Sequence, residues 1–101
     1  MNKERISIPK KKIGEFCRRW KVVEFSLFGS ILREDFRPES DVDILVTFAS
    51  GAQVSLFDLV QMKIELESMF GRSVDVVEKN ALRNPFRKRE ILNTAQVVYA
   101  A

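Results

Sequence analysis

No histidine occurs among the 101 residues. The side chain that most often acts as acid or base near neutral pH, and most often binds transition metals, is therefore missing. Catalysis, if there is any, must rest on carboxylates, lysine, hydroxyls or a hard metal ion. Cysteine is nearly absent too. Cys17 stands alone, which rules out an internal disulfide and leads us to expect a reducing, cytosolic setting. No apolar run approaches the roughly 20 residues that span a bilayer, so no membrane association is expected. The N-terminus, Met-Asn-Lys-Glu-Arg-Ile, is charged and lacks the apolar centre of a signal peptide. The chain shows no internal repeat and no low-complexity stretch.

What is present fits one small domain over residues 1–101. The hydrophobic fraction of 46% is ordinary for a folded soluble chain. Such a chain can bury one core, with little left for substrate recognition. With 17 basic and 14 acidic residues the net charge is +3. That mild excess suits an anionic ligand or partner, and equally suits solubility alone.

A first helix is expected over residues 9–20, with Ser7 as cap and Pro9 at its first position. Ile13, Phe16, Cys17 and Trp20 recur at helical spacing and make one apolar face. Cys17 is thus placed in the core rather than as a nucleophile. Lys10, Lys11, Lys12, Arg18 and Arg19 cover the rest, as a solvated face or an attraction for an acidic partner. Residues 22–28 read as a strand with Val23, Phe25 and Leu27 on one face. Gly29-Ser30 ends it, and Ile31 to Phe36 can form a short helix stopped by Pro38.

Residues 41–48 are the second strand, with Val42, Ile44, Val46 and Phe48 on one side and Asp41, Asp43, Leu45 and Thr47 on the other. A helix from about Ser55 to Phe70 follows the loop Ala49–Val54, opened by Ser55 with Asp58 and closed by Gly71. Its core stripe is Leu59, Met62, Leu66 and Met69, with Asp58, Gln61, Glu65 and Ser68 facing water. A third strand spans 73–78. A helix runs from Asn84-Pro85 to about Asn93 with Ile91 and Leu92 inward, and a last strand covers Gln96 to Tyr99. The alternation predicts an α/β or α+β fold, a small mixed sheet of about four strands packed against helices.

Asp41 and Asp43 face the same way at a strand start and repel unless something neutralises them. Magnesium does so, being a hard cation held by one or two carboxylates plus water and phosphate oxygens. Two solvated acids at an exposed strand end would read the same. Asp75 lies between valines, where burial is expensive unless it is paired or metal-bound. If its strand neighbours the second one, three carboxylates could hold two metals; a salt bridge to an arginine is the other reading. Gly29 lets backbone approach a phosphate, and Ser30 adds an amide and a hydroxyl at a helix start, where the dipole favours anions.

Gly29-Ser30, ten residues, then Asp41-Val42-Asp43 resembles the signature of the DNA polymerase beta-like nucleotidyltransferase superfamily. Arg33, Asp35, Arg37-Pro38, Ser40 and the run Asp43-Ile44-Leu45-Val46 are similar to its minimal nucleotidyltransferases. Asp75 in Val-Asp-Val-Val matches the third acid of the family, and Glu34 departs from it where glycine is usual. The resemblance implies the nucleotidyltransferase fold and transfer of a nucleoside monophosphate from ATP, with two magnesium ions and release of pyrophosphate. It implies that Asp41, Asp43 and Asp75 are the catalytic metal ligands and that Gly29, Ser30 and Arg33 bind the nucleotide.

Larger members of the superfamily carry a domain that binds the acceptor, and none is expected within these 101 residues. Minimal nucleotidyltransferases are typically paired with a helical HEPN RNase toxin. The resemblance therefore implies an antitoxin that adenylylates a tyrosine of such a partner, in a possible hetero-oligomer. An antitoxin acting by occlusion alone, and a transferase with a small-molecule or RNA acceptor, are the alternatives. Arg83, Arg87, Lys88 and Arg89 are the basic residues that would favour RNA, but nothing among them reads bases, and nucleic-acid binding is not expected.

Overall fold

In a computed structural model of the chain, residues 8–32 and 40–101 are described. Three helices and four strands alternate along them: α1 (Lys10–Trp20), β1 (Val22–Phe28), β2 (Val42–Phe48), α2 (Leu56–Phe70), β3 (Val74–Glu78), α3 (Pro85–Thr94) and β4 (Gln96–Ala100). Short 3₁₀ turns follow β1 (Gly29–Leu32) and β3 (Lys79–Ala81). The strands form one mixed sheet in the order β3-β2-β1-β4. β1 runs antiparallel to β2 and β4, while β2 and β3 are parallel. The parallel β2–β3 pair needs a crossover connection, which α2 provides.

The two faces of the sheet follow from the alternation in β2. Val42, Ile44 and Val46 are fully buried on one side against Ile13, Phe16 and Cys17 of α1 and Met62 and Leu66 of α2. Phe25 and Leu27 of β1 extend this core, and the Phe16 and Phe25 rings meet edge to face at 6.2 Å. On the other side Leu45 and Phe28 pack with Leu82 and with Ile91 of α3. This second cluster is smaller and leaves the start of β2 uncovered.

Local chemistry starts and stops the helices. Ser55 and Asp58 form a reciprocal capping box, each side-chain oxygen accepting the other's backbone N–H at 3.1 Å. Gly71 ends α2 in the left-handed region at φ 70°. Asn84 Oδ1 accepts the N–H groups of Phe86 and Arg87 at 2.9 and 3.1 Å, and Pro85 fills the first turn of α3.

Several boundaries and faces differ from expectation. Pro9 lies just before α1 rather than within it, with no side-chain cap, and Ser7 is outside the described residues. The 22–28 strand carries a β-bulge between Val22 and Glu24, so Val22 is buried and Val23 only half-buried. The expected helix Ile31–Phe36 is a 3₁₀ turn as far as Leu32, and residues 33–36 are outside the described residues. Leu92 is 40% exposed, because α3 directs only Ile91 to the sheet. On α2, Leu56, Phe57, Val60 and Ile64 face solvent, a second apolar stripe that the core stripe of the same helix had masked.

Glu65 does more than face water. Trp20 Nε1 donates to its Oε1 at 3.1 Å, Arg19 pairs with the same oxygen, and Gln61 Nε2 donates to Oε2 at 3.3 Å. These contacts clamp the end of α1 to α2. Burial pushes the Glu65 carboxyl up, but the hydrogen bonds from Trp20 and Gln61 and the Arg19 charge outweigh it, and its pKa falls below the ordinary 4.5. Burial also pushes the Cys17 thiol up to about 12, against a smaller opposing effect of Arg18. It is a packing residue, as expected.

Two stability outcomes follow from this packing. Met62→Ala, at a fully buried site, should lose about 2–5 kcal/mol in urea denaturation, whereas Phe57→Ser, at an exposed one, should stay within about 0.5 kcal/mol. A carboxylate whose pKa is depressed by folding stabilises above its unfolded value and loses that contribution as pH falls. Thermal melts from about pH 7 to about pH 3 should therefore show wild type losing its advantage over Glu65→Gln below the ordinary 4.5. Parallel melting curves for the two proteins would exclude the clamp.

Candidate functional site

The uncovered half of the sheet lies where β1 ends and β2 begins. Strand register brings the acids there. Phe28 of β1 stands opposite Asp43, and on the other side Asp43 pairs with Asp75 of β3. Directly paired residues project to the same face of a sheet, so Asp43 and Asp75 are side by side. Asp41, two residues before Asp43, belongs to the same alternation. Val42 N–H donates to Ser73 O at 3.0 Å, and Val74 N–H donates to Glu67 Oε2 at 3.3 Å, fixing where β3 begins against β2. Arg72 Nη1 donates to Ser40 O at 3.5 Å across the same entrance.

Asp75 is exposed, because β3 is an edge strand. The expectation that it is an aspartate buried among valines is corrected. Register, not burial, is what brings it to Asp43. Its strand does lie beside β2, in parallel pairing. Among the described residues no three acids are already gathered into a closed cage for a metal.

Gly29 is where backbone conformation and site chemistry meet. It sits at φ 77°, a region that glycine alone enters without strain. A Cβ there would overlap the Asp43 carboxylate, with the carboxyl carbon 3.0 Å and the Asp43 Cβ 3.3 Å away. Asp43 therefore lies directly against bare backbone. Ser30 follows in the 3₁₀ turn, and its hydroxyl donates to Asp41 O at 3.4 Å, tying the turn to the start of β2. As far as Leu32 the turn is 3₁₀, and the expected helix beyond it lies outside the described residues. Arg33 lies outside the described residues.

A cavity of about 600 Å³ opens from this corner, within the usual range for a small-molecule site. Phe28, Gly29, Leu32 and Asp43 form one side, and Arg87, Glu90, Ile91 and Thr94 of α3, with Gln96, form the other. The α3 wall was missed at the level of sequence, where Arg87 counted only as one of several basic residues. Its signal is the spacing 87, 90, 91 and 94, one helical face on which Ile91 alone is apolar. A search for apolar inward positions passes over such a face.

Carboxylates on adjacent strands, bare glycine backbone against one of them and a cavity leading away are a donor set that a hard cation carrying an anionic ligand would fit. The oxygen donors suit magnesium, and a pair of carboxylates with open positions leaves room for phosphate oxygens. The chain belongs to the nucleotidyltransferase domain family, whose model matches residues 9–98. A Methanocaldococcus jannaschii relative, provisionally named a protein adenylyltransferase, is 43% identical over 86 residues, which are 85% of this chain and 89% of that one. The protein adenylyltransferase MntA of Thermococcus cleftensis is 36% identical over 85 residues, 84% of this chain and 81% of its own. Among solved structures, a chain from a toxin–antitoxin crystal structure with AMP-PNP has the same fold, with a TM-score of 0.74 at 20% identity, over 93% of this chain and 75% of that one. A chain from a complex of the tri-AMPylated Shewanella oneidensis HEPN toxin with MNT antitoxin gives 0.65 at 20%, over 91% and 70%.

The Gly29–Asp43 approach yields a direct outcome. Gly29→Ala should cost about 1–2 kcal/mol through the left-handed backbone, and the added Cβ displaces the Asp43 carboxylate. ATP affinity by calorimetry should fall together with the melting temperature. Unchanged ATP affinity in the folded variant would mean that the corner does not take part in binding.

Proposed function

We propose that this nucleotidyltransferase moves AMP from ATP to a tyrosine hydroxyl of a HEPN-type RNase toxin and so acts as its antitoxin. The observation that carries the reading is the register Asp43–Asp75 with bare Gly29 backbone against Asp43. Relatives named as protein adenylyltransferases, and the likeness to toxin–antitoxin chains crystallised with AMP-PNP or with AMPylated toxin, support the nucleotide and the partner.

In this reading Gly29 and Ser30 face the triphosphate, and the glycine admits it close to the backbone. Arg33, assigned to the nucleotide by the family resemblance, would add positive charge to its binding. Asp41, Asp43 and Asp75 would hold magnesium, which would supply charge neutralisation on the triphosphate and on the departing pyrophosphate. The tyrosine oxygen attacks the α-phosphorus, a P–O bond forms there, and the bond to the bridging oxygen breaks in line with it. Pyrophosphate leaves with the bonding electrons. The hydroxyl proton passes to the Asp75 carboxylate, which stands on the open edge of the sheet where an incoming protein can reach it. Exposure of Asp75 therefore suits an acceptor presented by a macromolecule. The absence of histidine is no obstacle, because a carboxylate can take the proton and carboxylates can hold the metal.

The test is incubation of the protein with ATP, magnesium and its HEPN partner, read by intact mass and by residual RNase activity. The partner should gain one or more adenylyl units and lose RNase activity. The double variant Asp41→Asn, Asp43→Asn should lower the transfer rate by more than about 100-fold, beyond what outer-shell changes at metal sites usually do, and should keep its melting temperature. Transfer that persists in the double variant would overturn the assignment. Neutralisation without any mass gain would leave occlusion as the mechanism.

A further inference from the structure

We propose that α3 supplies the nucleoside end of the cavity and that the Glu90 carboxylate accepts hydrogen bonds from the ribose hydroxyls of the bound nucleotide. The inference rests on the reading of this site as a nucleotide pocket and adds residues that the acid and Gly-Ser pattern does not contain.

The cavity has two chemically different ends. At one, Gly29 and Asp43 mark where phosphates and their cation belong. Glu90 stands on the α3 wall, across the cavity from Gly29 and Asp43 and apart from the acids of β2 and β3, and so faces the part of the ligand beyond the phosphates. That part is a ribose and a base. Phe28, Leu32 and Ile91 give the cavity an apolar lining suited to a base.

The polar groups on α3 narrow the assignment. The Thr94 hydroxyl donates to Glu90 O at 2.8 Å, closing on its own helix. Glu90 lines the cavity, and its carboxylate has no hydrogen-bond or ion-pair partner among the described residues. A carboxylate offers acceptors only, and a vicinal diol offers two donors at matching spacing. The same chemistry serves dinucleotide-binding folds, where an acidic side chain takes the ribose hydroxyl. Arg87 lies one helical turn before Glu90 on the same wall and adds positive charge to a cavity that otherwise carries Asp43 and Glu90.

Calorimetric titration of ATP and of 2′-deoxy-ATP, with magnesium, tests the assignment in wild type, Glu90→Ala and Glu90→Gln. Wild type should bind ATP tighter than 2′-deoxy-ATP by about tenfold or more, the usual weight of a hydrogen bond to a charged group. Glu90→Ala should erase that preference by weakening ATP more than 2′-deoxy-ATP, which keeps only the 3′-hydroxyl. Glu90→Gln, which keeps one carbonyl acceptor, should fall between the two. The residue is exposed and off the core, so both variants should melt as wild type does. A preference that survives in Glu90→Ala, or equal weakening of both nucleotides, overturns the ribose assignment. The adenylyl-transfer assay separates the two readings. Normal transfer by wild type with no Glu90 effect on ribose preference sinks this inference alone. Glu90-dependent ribose preference without any transfer to a protein sinks the proposed acceptor and leaves the subsite standing. Failure of wild type to bind either nucleotide overturns both.

Discussion

The site depends on the register of β2 between its two neighbours. Phe28, Asp43 and Asp75 stand in one row across three strands. A slip of one residue in either ladder would turn one of the acids to the opposite face, among Ile44, Val46 and the α1 and α2 side chains. That face is closed by Val42, Ile44 and Val46, all fully buried. Burying such side chains contributes about 1.5–3 kcal/mol each, and moving aspartate into their place without a partner costs at least as much. The hydrophobic core therefore fixes the register, and the register places the carboxylates. Gly29 completes the arrangement, because a residue with a side chain at that corner would push Asp43 away.

The two faces of the sheet serve different ends. α1 and α2 close one of them completely and carry most of the apolar burial. α3 covers only part of the other, through Ile91 and the nearby Leu82. A second full layer would bury the acids and fill the cavity. Covering only the lower half leaves the start of β2 open and makes the exposed side of α3 a wall of the cavity. Stability is thus concentrated away from the chemistry. The Glu65 clamp and the α2 capping box lie on the closed side, where nothing need move for a ligand to enter.

The sequence is most legible where two independent signals agree. β2 combines β-branched content with strict alternation, and the alternation by itself puts Asp41 and Asp43 on one face. α2 is legible from its capping box and its terminal glycine. Legibility fails where tertiary context overrides a local pattern. The bulge after Val22 exchanges the roles of Val22 and Val23, because irregular pairing inserts a residue that no period of two contains. Leu92 looks inward because it is apolar, yet α3 turns a single residue to the sheet. Asp75 stands out among its valines for a reason that does not apply to it: on an edge strand such an aspartate is not buried.

Composition and spacing alone narrowed the class of chemistry. Without histidine and with a lone cysteine, carboxylates, lysine, hydroxyls and a hard cation were left, and the Gly-Ser corner ten residues before an Asp-X-Asp pair resembles the nucleotidyltransferase signature. These are short-range properties, set by residue type and by the pitch of a strand. Only the tertiary structure decided which strand lies beside β2, that Asp43 presses against Gly29, and that one face of α3 closes the cavity with Arg87 and Glu90. Strand order and helix placement are settled by the joint burial of residues far apart in the chain, and no local pattern carries that information.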